Sequence, residues 1–242
     1  DTFFVDRDGR FVVGKAQTTP DDESRGFATS AKDALKYWQT TPEEIFPQIM
    51  TGIYSGTSMI NRLLERKGQR LGVLVTAGTE DYLKIERGIQ TYLGYSYQDR
   101  LKVITHRHNP HIVPRKRMKG IRERIDLIGD VVIPLYEHEV EAAVKELLAD
   151  DVEAIVINFL FGYANPAHEN RAREIATDLI GKAGKSIGDY AASDLYPVTQ
   201  DFARLNTVLV EAYAAEPSRG QFQKIADQAG AFGSTFDLRV MA

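Results

Sequence analysis

The stretch AIVINFLFGYANPAHENR, residues 154–171, decides the fold class of this chain. Its first part, residues 154–160, is a mostly apolar run typical of a strand buried on both faces of a parallel sheet. Asn165-Pro166 then forms a turn, and the pattern after it predicts an amphipathic helix over residues 167–180. A strand, a short polar loop and a helix in this order indicate an α/β fold.

The loop between that strand and that helix is also a candidate site. Open α/β sheets bind ligands beyond the carboxyl ends of their strands, and Tyr163, Asn165 and His168 place a phenol, an amide and an imidazole there. The loop has a structural interpretation too, because Pro166 suits the first helical position and Glu169 suits the positive end of the helix dipole. The residue pattern leaves both interpretations open.

Other segments extend the α/β pattern along the chain. A hairpin is predicted around Asp8-Gly9, and residues 71–76 are typical of a buried strand. Further on, strand and helix patterns alternate, which predicts a parallel sheet with right-handed crossovers. The later predicted elements are strands 118–125 and 131–135, helix 137–148, strand 154–160, helix 167–180, strand 186–191, and helices 201–215 and 221–229.

The composition excludes several classes of function. The 242 residues, 43% of them hydrophobic, suffice for one good core or two modest ones. A formal net charge of -4 argues against nucleic acid or an anionic membrane as a partner. The chain has no cysteine, so disulfides and thiolate chemistry are excluded. It has neither an apolar run of the roughly 20 residues that cross a membrane nor a signal-peptide pattern, so we expect a cytoplasmic protein without membrane contact.

Positive charge is concentrated in the middle of the chain, where Glu123 is the only acid. This basic stretch could bind an anion, contact a partner subunit or face solvent. Nucleic-acid readers usually interleave exposed aromatic residues with basic ones, and residues 107–124 contain no aromatic residue. The basic stretch consists of Arg100, Lys102, Arg107, Arg115, Lys116, Arg117, Lys119, Arg122 and Arg124.

No metal site is predicted. His106, His108 and His111 lie close together, but no carboxylate occurs over residues 101–118 to complete a catalytic zinc site. We therefore expect a polar loop there.

Two further strand ends carry polar groups. A helix predicted over residues 80–93, with Asp81, Glu86 and Arg87, could hold an anion at its start or merely be capped there. The turn Ser55-Gly56-Thr57-Ser58 offers hydroxyls and backbone donors, although one glycine makes a less specific anion site than a glycine-rich loop.

The motif Tyr163-x-Asn165-Pro166-x-His168-Glu169 after a strand resembles the hydantoinase A and oxoprolinase family, whose members couple ATP cleavage to chemistry at a carbonyl. The resemblance spans nearly the whole chain. Two departures limit it, because the family commonly has His-Ser-Tyr where this chain has residues 161–163, and His-Gly-Thr-Thr where it has residues 55–58. The other matching segments are Asp1 to Asp6, Asp8-Gly9, Lys15, residues 18–20, Asn61, residues 64–68, Gly78, Asp81, residues 123–126, Arg204, Asn206-Thr207 and Ala212-Tyr213.

Within that family the chain is similar to the branch that carboxylates ketones such as acetone and acetophenone. The resemblance implies a subunit of an ATP-dependent carboxylase that phosphorylates a ketone enolate, bicarbonate or both and yields a β-keto acid. It implies small ketones, bicarbonate and the other subunits of a hetero-oligomer as partners. The segments that carry this likeness are residues 93–100, 105–107, 113–115, 126–129 and 214–219.

The resemblance also implies a fold and site roles. The fold would be part of an ATP-binding lobe of the actin, sugar-kinase and Hsp70 type, which is ribonuclease H-like, with an associated α/β segment. The expected segments are an N-terminal lobe segment 1–87, an α/β segment 88–200 with the basic stretch, and a helical return 201–242. Tyr163, Asn165, His168 and Arg204 would be catalytic.

The cofactors implied are ATP and Mg²⁺, held mainly by phosphate loops that the family has before Asp1 and well beyond Ala242. Asp1, Thr57 and Ser58 would contribute to cofactor binding, and a chain without those loops is not expected to hydrolyse ATP by itself. Two alternatives remain open: an ATP-dependent hydantoinase or 5-oxoprolinase, and a non-catalytic subunit-assembly module.

Overall fold

The computed structural model describes residues 1–85, 94–102, 104, 106 and 110–241. The chain forms two compact units. The first comprises Asp1–Arg62 and Ala215–Ala242, and the second comprises Leu63–Ala214.

Helices and strands alternate over residues 137–195, as the sequence predicts for that part of the chain. The strands are β1 Thr2–Val5, β2 Phe11–Gly14, β3 Gly52–Ser55, β4 Leu71–Thr76, β5 Met118–Ile121, β6 Arg124–Ile125, β7 Val131–Ile133, β8 Ala154–Asn158, β9 Gly188–Ala191 and β10 Leu238–Met241. The helices are α1 Glu23–Leu35, α2 Pro42–Ile45, α3 Ser58–Leu64, α4 Tyr82–Ile85, α5 Tyr97–Arg100, α6 Glu137–Ala149, α7 Ala167–Lys182, α8 Ala192–Leu195, α9 Asp201–Val210 and α10 Glu216–Ala231.

A parallel sheet is the centre of the second unit, and it confirms the predicted α/β class. Its strand order is β5-β4-β8-β9, and each neighbouring pair is parallel. The chain places β5 on one side of β4, then places β8 and β9 on the other side. The direction of winding therefore reverses between β4 and β8, and such a switch point is where open α/β sheets bind ligands.

Helices α6 and α7 bury their apolar sides together with the sheet in one core cluster. Val144 and Leu147 of α6 and Ile175 of α7 pack with Ile157 of β8 and with Phe159, which follows β8. Burying each such side chain contributes about 1.5–3 kcal/mol. Helix α9 also contacts β8. The sheet is thus held rigidly behind the loop that follows β8.

The first unit has an antiparallel hairpin, β1–β2, which confirms the hairpin predicted around Asp8-Gly9. Gly9 has φ +81, a left-handed value that glycine adopts without strain. Strands β3 and β10 form a parallel pair, and α1 packs against α10. Phe46 lies at the centre of an aromatic cluster there, with ring centroids 5.0–6.5 Å from those of Phe4, Phe27, Phe232 and Phe236.

The compact units divide the chain differently from the predicted segments 1–87, 88–200 and 201–242. Residues 63–85 belong to the second unit because β4 pairs with β5 and β8. Residues 201–214 also belong to it because α9 packs on β8.

The two predicted helices after residue 200 and the predicted strand 118–125 differ from the structure by more than two residues at an end. The predicted helix 201–215 ends at Val210 and is followed by a π-helical turn, Glu211–Ala215, and α10 begins directly after it rather than at residue 221. Pro217 is tolerated there because it stands in the first turn of α10. The predicted strand 118–125 is split into β5 and β6.

The predicted helix 80–93 is seen as α4, and residues 86–93, with Glu86 and Arg87, lie outside the described residues. Within the described part of the chain, no helix combines the length and apolarity needed to span a membrane.

Candidate functional site

The carboxyl ends of β4, β5 and β8 meet at the switch point of the sheet. Thr76 is the last residue of β4, Glu123 follows β5 by two residues, and residues 159–166 connect β8 to α7. The backbone N–H of Leu160 donates to Thr76 Oγ1 at 2.8 Å. This hydrogen bond joins the ends of β4 and β8 directly, so the loop after β8 starts from a fixed point.

A buried carboxylate–imidazole pair lies at this edge. Glu123 Oε2 is 2.8 Å from His168 Nδ1, and Thr76 Oγ1 donates to Glu123 Oε1. The side chain of Glu123 is 0% exposed and that of His168 is 10% exposed. The other ring nitrogen of His168, Nε2, has no hydrogen-bond partner among the described residues. We call Thr76, Glu123 and His168 the site triad.

A second buried ionic group lies beneath the loop. Arg204 of α9 is 0% exposed, and its Nη2 donates to Glu169 Oε1 at 2.8 Å. Its Nη1 donates to Asp201 Oδ1 at 2.8 Å and to the carbonyl of Phe159 at 3.1 Å. Arg204 is therefore a buried residue whose guanidinium is engaged within the chain.

Glu169 has contacts beyond the favourable interaction of a first-turn acid with the helix dipole. It is fully buried and also accepts hydrogen bonds from the backbone N–H of Phe159 at 2.8 Å and of Ser193 at 2.7 Å. Its carboxylate therefore links the end of β8, the start of α8 and Arg204. Buried charges of this kind are stable only when paired and hydrogen-bonded, as here.

The first part of the loop is tightly constrained. Phe161 has φ +59, an uncommon value for a residue other than glycine. A Cβ on Gly162 would come within 2.4 Å of Glu169 Oε1 and 3.0 Å of Arg204 Nη2, so no larger residue fits without displacing that ion pair. Tyr163 is partly buried, its ring lies 5.8 Å from the Arg204 guanidinium, and its hydroxyl has no hydrogen-bond partner among the described residues.

Both polar atoms of the Asn165 side-chain amide form hydrogen bonds within the chain. Nδ2 donates to the carbonyl of Gly129 at 2.8 Å, and Oδ1 accepts from the backbone N–H of Ala167 at 3.0 Å. The second contact caps the start of α7, where Pro166 stands at the N-cap rather than at the first helical position. These contacts match the structural interpretation of Asn165.

The predicted cofactor residues Asp1, Thr57 and Ser58 belong to the first unit. The backbone carbonyl of Thr57 accepts the backbone N–H of Asn61 at 2.8 Å, and Ser58 Oγ is buried without a hydrogen-bond partner among the described residues. Nearby, Tyr54 donates to Glu23 at 2.5 Å, and burial and this carboxylate raise the pKa of Tyr54 above its ordinary value.

The basic stretch is largely neutralised by acids from elsewhere in the second unit. Lys116 and Arg117 both contact Asp150, and their hydrogen bonds lower the pKa of that carboxyl to about 2. The other described pairs are Arg115 with Asp81, Lys119 with Glu146 and Arg122 with Glu139.

Arg107 and His108 lie outside the described residues. Over the ranges that the structure describes, no group of three His, Asp or Glu residues could hold a metal ion.

Tyr163, His168 and Arg204 lie in the same unit of the structure, and the contacts add residues to which the sequence assigned no catalytic or cofactor role. Glu123, Glu169 and Thr76 are the main additions. Glu123 had two signals, as the only acid of the basic stretch and as part of the matching segment 123–126, and Glu169 had one, as part of the motif that begins at Tyr163.

These features define the class of the protein. Residues 1–180 match the hydantoinase/oxoprolinase N-terminal region, and the chain belongs to the hydantoinase/oxoprolinase family, as its motifs indicate. The chain is 47% identical to the acetone carboxylase beta subunit of Xanthobacter autotrophicus over 242 residues, which is 100% of this chain and 34% of that subunit.

Other relatives agree with this assignment. The acetophenone carboxylase gamma subunit of Aromatoleum aromaticum is 38% identical over 173 residues, which is 72% of this chain and 24% of that subunit. The chain therefore spans about a third or less of the length of these curated relatives.

Solved structures confirm the mixed α/β fold with parallel sheets. A nucleotide-free structure of acetone carboxylase superposes with a TM-score of 0.91 at 46% identity, covering 99% of this chain and 34% of that one. An ATP-dependent caprolactamase from Pseudomonas jessenii superposes with a TM-score of 0.75 at 27% identity, covering 95% of this chain and 33% of that one.

Proposed function

We propose that this chain is part of a subunit of an ATP-dependent ketone carboxylase. The parent enzyme would phosphorylate a ketone enolate, bicarbonate or both, and join them into a β-keto acid. The observation that carries the proposal is the likeness to acetone carboxylase over the full length of the chain. The enzyme would be a carbon–carbon bond-forming ligase.

The switch-point site supports chemistry at a carbonyl. His168 and Tyr163 have polar atoms without partners among the described residues, so these atoms are available to a small substrate. Arg204 and Asn165, also expected to be catalytic, are engaged within the chain and would act by positioning the loop. Phosphoryl transfer depends mostly on positioning and charge, so a chain without cysteine can contribute to it.

ATP and Mg²⁺ would be the cofactors. They would bind to an ATP-binding lobe of the actin, sugar-kinase and Hsp70 type, of which this chain would form a part. The hydroxyls of Thr57 and Ser58 could face phosphate oxygens. Ser58 Oγ is buried and has no hydrogen-bond partner in the part of the chain that the structure describes, which is consistent with a ligand there. Asp1 would lie beside the phosphates. Mg²⁺ would need oxygen ligands mainly from the nucleotide and from segments outside this chain, because the described residues supply no metal-binding cluster.

The partners would be a small ketone, bicarbonate and other carboxylase subunits. The ion pairs of the basic stretch weaken the alternative of a pure assembly module, since those cations already have acidic partners within the chain. The absence of nucleic-acid and membrane partners and a cytoplasmic location stay predictions.

An ATP-dependent cyclic amidase is the second candidate. It is favoured by the likeness to caprolactamase, whose name describes action on a cyclic amide. Such an enzyme would phosphorylate an amide oxygen before water opens the ring. The lower identity, 27% against 46%, places it second.

Substrate-dependent ATP cleavage by the complete enzyme tests the proposal. We expect cleavage with acetone or acetophenone in the presence of bicarbonate, and formation of the matching β-keto acid. Cleavage with caprolactam, hydantoin or 5-oxoproline, and none with ketones, would instead establish the amidase function. Cleavage with neither class would support the assembly module.

A further inference from the structure

The hydrogen bonds around Glu123 determine which nitrogen of His168 carries a proton. A carboxylate has acceptor atoms only, so Nδ1 must be the donor in its 2.8 Å contact with Glu123 Oε2. Neutral His168 then has its proton on Nδ1 and a lone pair on Nε2. The second nitrogen is therefore an acceptor, which is the form that a general base needs.

Thr76 fixes the orientation of Glu123. Its hydroxyl oxygen accepts the Leu160 N–H at 2.8 Å and donates its own hydrogen to Glu123 Oε1. Two donors thus converge on the carboxylate, one from the end of β4 and one from the start of α7. Because Glu123 is fully enclosed, it cannot turn toward water and release His168.

The imidazole is the only member of the site triad with a polar atom left free. About a tenth of its side-chain surface is exposed, and Nε2 has no partner among the described residues. A small molecule at the switch point could thus reach Nε2 but neither Glu123 nor Thr76. The triad has the arrangement of a base, an orienting carboxylate and a group that orients the carboxylate.

We infer that His168 Nε2 removes a proton from the carbon next to the ketone carbonyl, with Glu123 and Thr76 as positioning residues. This inference rests on the proposed ketone carboxylase function. In this step a C–H bond of the ketone breaks and an N–H bond forms on Nε2. The C–H electron pair becomes the carbon–carbon double bond of the enolate, and the carbonyl π pair moves to oxygen. Glu123 then faces an imidazolium, whose positive charge it stabilises.

Hydrogen exchange measures this step separately from carboxylation. The complete enzyme is incubated with acetone in D₂O with ATP and without bicarbonate, and deuterium in the methyl groups is followed by NMR. General bases contribute typically about 100-fold to 10,000-fold, so we expect His168→Gln to slow the exchange by about 100-fold or more. The matched control is His138→Gln, an exposed histidine of α6, which should leave the exchange rate unchanged.

The roles of Thr76 and Glu123 are tested by a measurement that a mere loss of stability would not change. Thr76→Val keeps the shape of the side chain but removes the hydroxyl, and Thr76→Ser restores it. We expect Thr76→Val and Glu123→Gln to lower kcat with little change in KM, and to increase the isotope effect on kcat with deuterated acetone. Thr76→Ser should recover the wild-type isotope effect, which loss of folded protein could not explain.

The outcomes separate the two proposals. A wild-type enzyme without ketone-dependent ATP cleavage would overturn both. Ketone-dependent cleavage together with normal exchange in folded His168→Gln would overturn only the role of His168. If His168→Gln does not fold, the isotope effects of the two Thr76 variants decide, and equal values in both would count against the inference.

Discussion

Replacing Arg204 by methionine tests the buried ionic group beneath the site loop. The change removes two charged hydrogen bonds of 2.8 Å, to Glu169 and Asp201, and a third of 3.1 Å to the Phe159 carbonyl. Methionine fills most of the space of the arginine stem, so the loss of stability comes mainly from the lost electrostatic interactions. Glu169, 0% exposed, is left as a buried carboxylate without a cation.

The expected magnitude follows from that unpaired charge. Removing one partner of a buried ion pair costs about 3–5 kcal/mol, much more than the pair itself contributes. Glu169 keeps the N–H donors of Phe159 and Ser193, so we place Arg204→Met near the lower end, at about 3 kcal/mol. Because Arg204 is enclosed, lost activity should follow the lost folded fraction.

Urea unfolding of the variant and the wild type, followed by circular dichroism, measures this cost. Arg173→Met is the matched control, because Arg173 is 40% exposed and pairs with Asp194 at the surface. Exposed pairs contribute about 0–1 kcal/mol, so the control should be nearly neutral. A loss below about 1 kcal/mol for Arg204→Met would refute the reasoning.

The pairing itself is tested by a double variant. Glu169→Gln removes the negative charge, so Glu169→Gln with Arg204→Met should lose less stability than the sum of the single changes. Coupled pairs differ from additivity by about 0.5–3 kcal/mol. Strict additivity would mean that Glu169 does not depend on Arg204 for its charge.

Three further changes test other contacts. Asn165→Ala should lower the free energy of unfolding by about 0.5–2 kcal/mol, the usual cost of losing a helix cap. Turnover per folded molecule should stay nearly intact. A loss of turnover of about 100-fold would instead indicate that Asn165 contacts the reacting group directly. Gly162→Ala should cost about 1–3 kcal/mol in urea unfolding, since its Cβ would meet Glu169, whereas Gly181→Ala, with open space around it, should not destabilise. Asp150, whose pKa is lowered from 3.8 to about 2, stabilises the fold fully above about pH 4 and loses this effect as the pH falls toward 2. Acid unfolding of Asp150→Asn should therefore depend less on pH in that window, and an unchanged acid profile would contradict the ion pairs.

Local sequence patterns predict the elements of this fold well. The apolar run before residue 160 and the Asn165-Pro166 turn identify β8 and the start of α7, because strand burial and helix capping depend on neighbouring residues. The alternation of strands and helices then implies the parallel sheet. The π-helical turn Glu211–Ala215 has no such local signal, and it is missed.

The contacts of the site could not be predicted from local sequence patterns, because they join residues that are far apart in the sequence. His168 and Glu123 are 45 residues apart, and Arg204 and Glu169 are 35 apart. Glu169 therefore looks like an ordinary first-turn acid in the sequence, although it is buried and ion-paired. The ion pairs of the basic stretch could not be predicted for the same reason, since acidic partners such as Asp150 lie 33 or 34 residues further along.

The residues of the site triad lie at the ends of different strands, so the site can bind a ligand only when the whole sheet has folded. Thr76, Glu123 and His168 come from the ends of β4 and β5 and from the helix after β8, so they meet only when the parallel pairing is complete. Pairing of this kind joins remote parts of the chain and forms late and slowly. A molecule that binds His168 would therefore bind only the finished sheet and stabilise it by mass action. The thermal midpoint of the second unit would then rise with ligand concentration, so a melting curve could report occupancy of the site without any turnover.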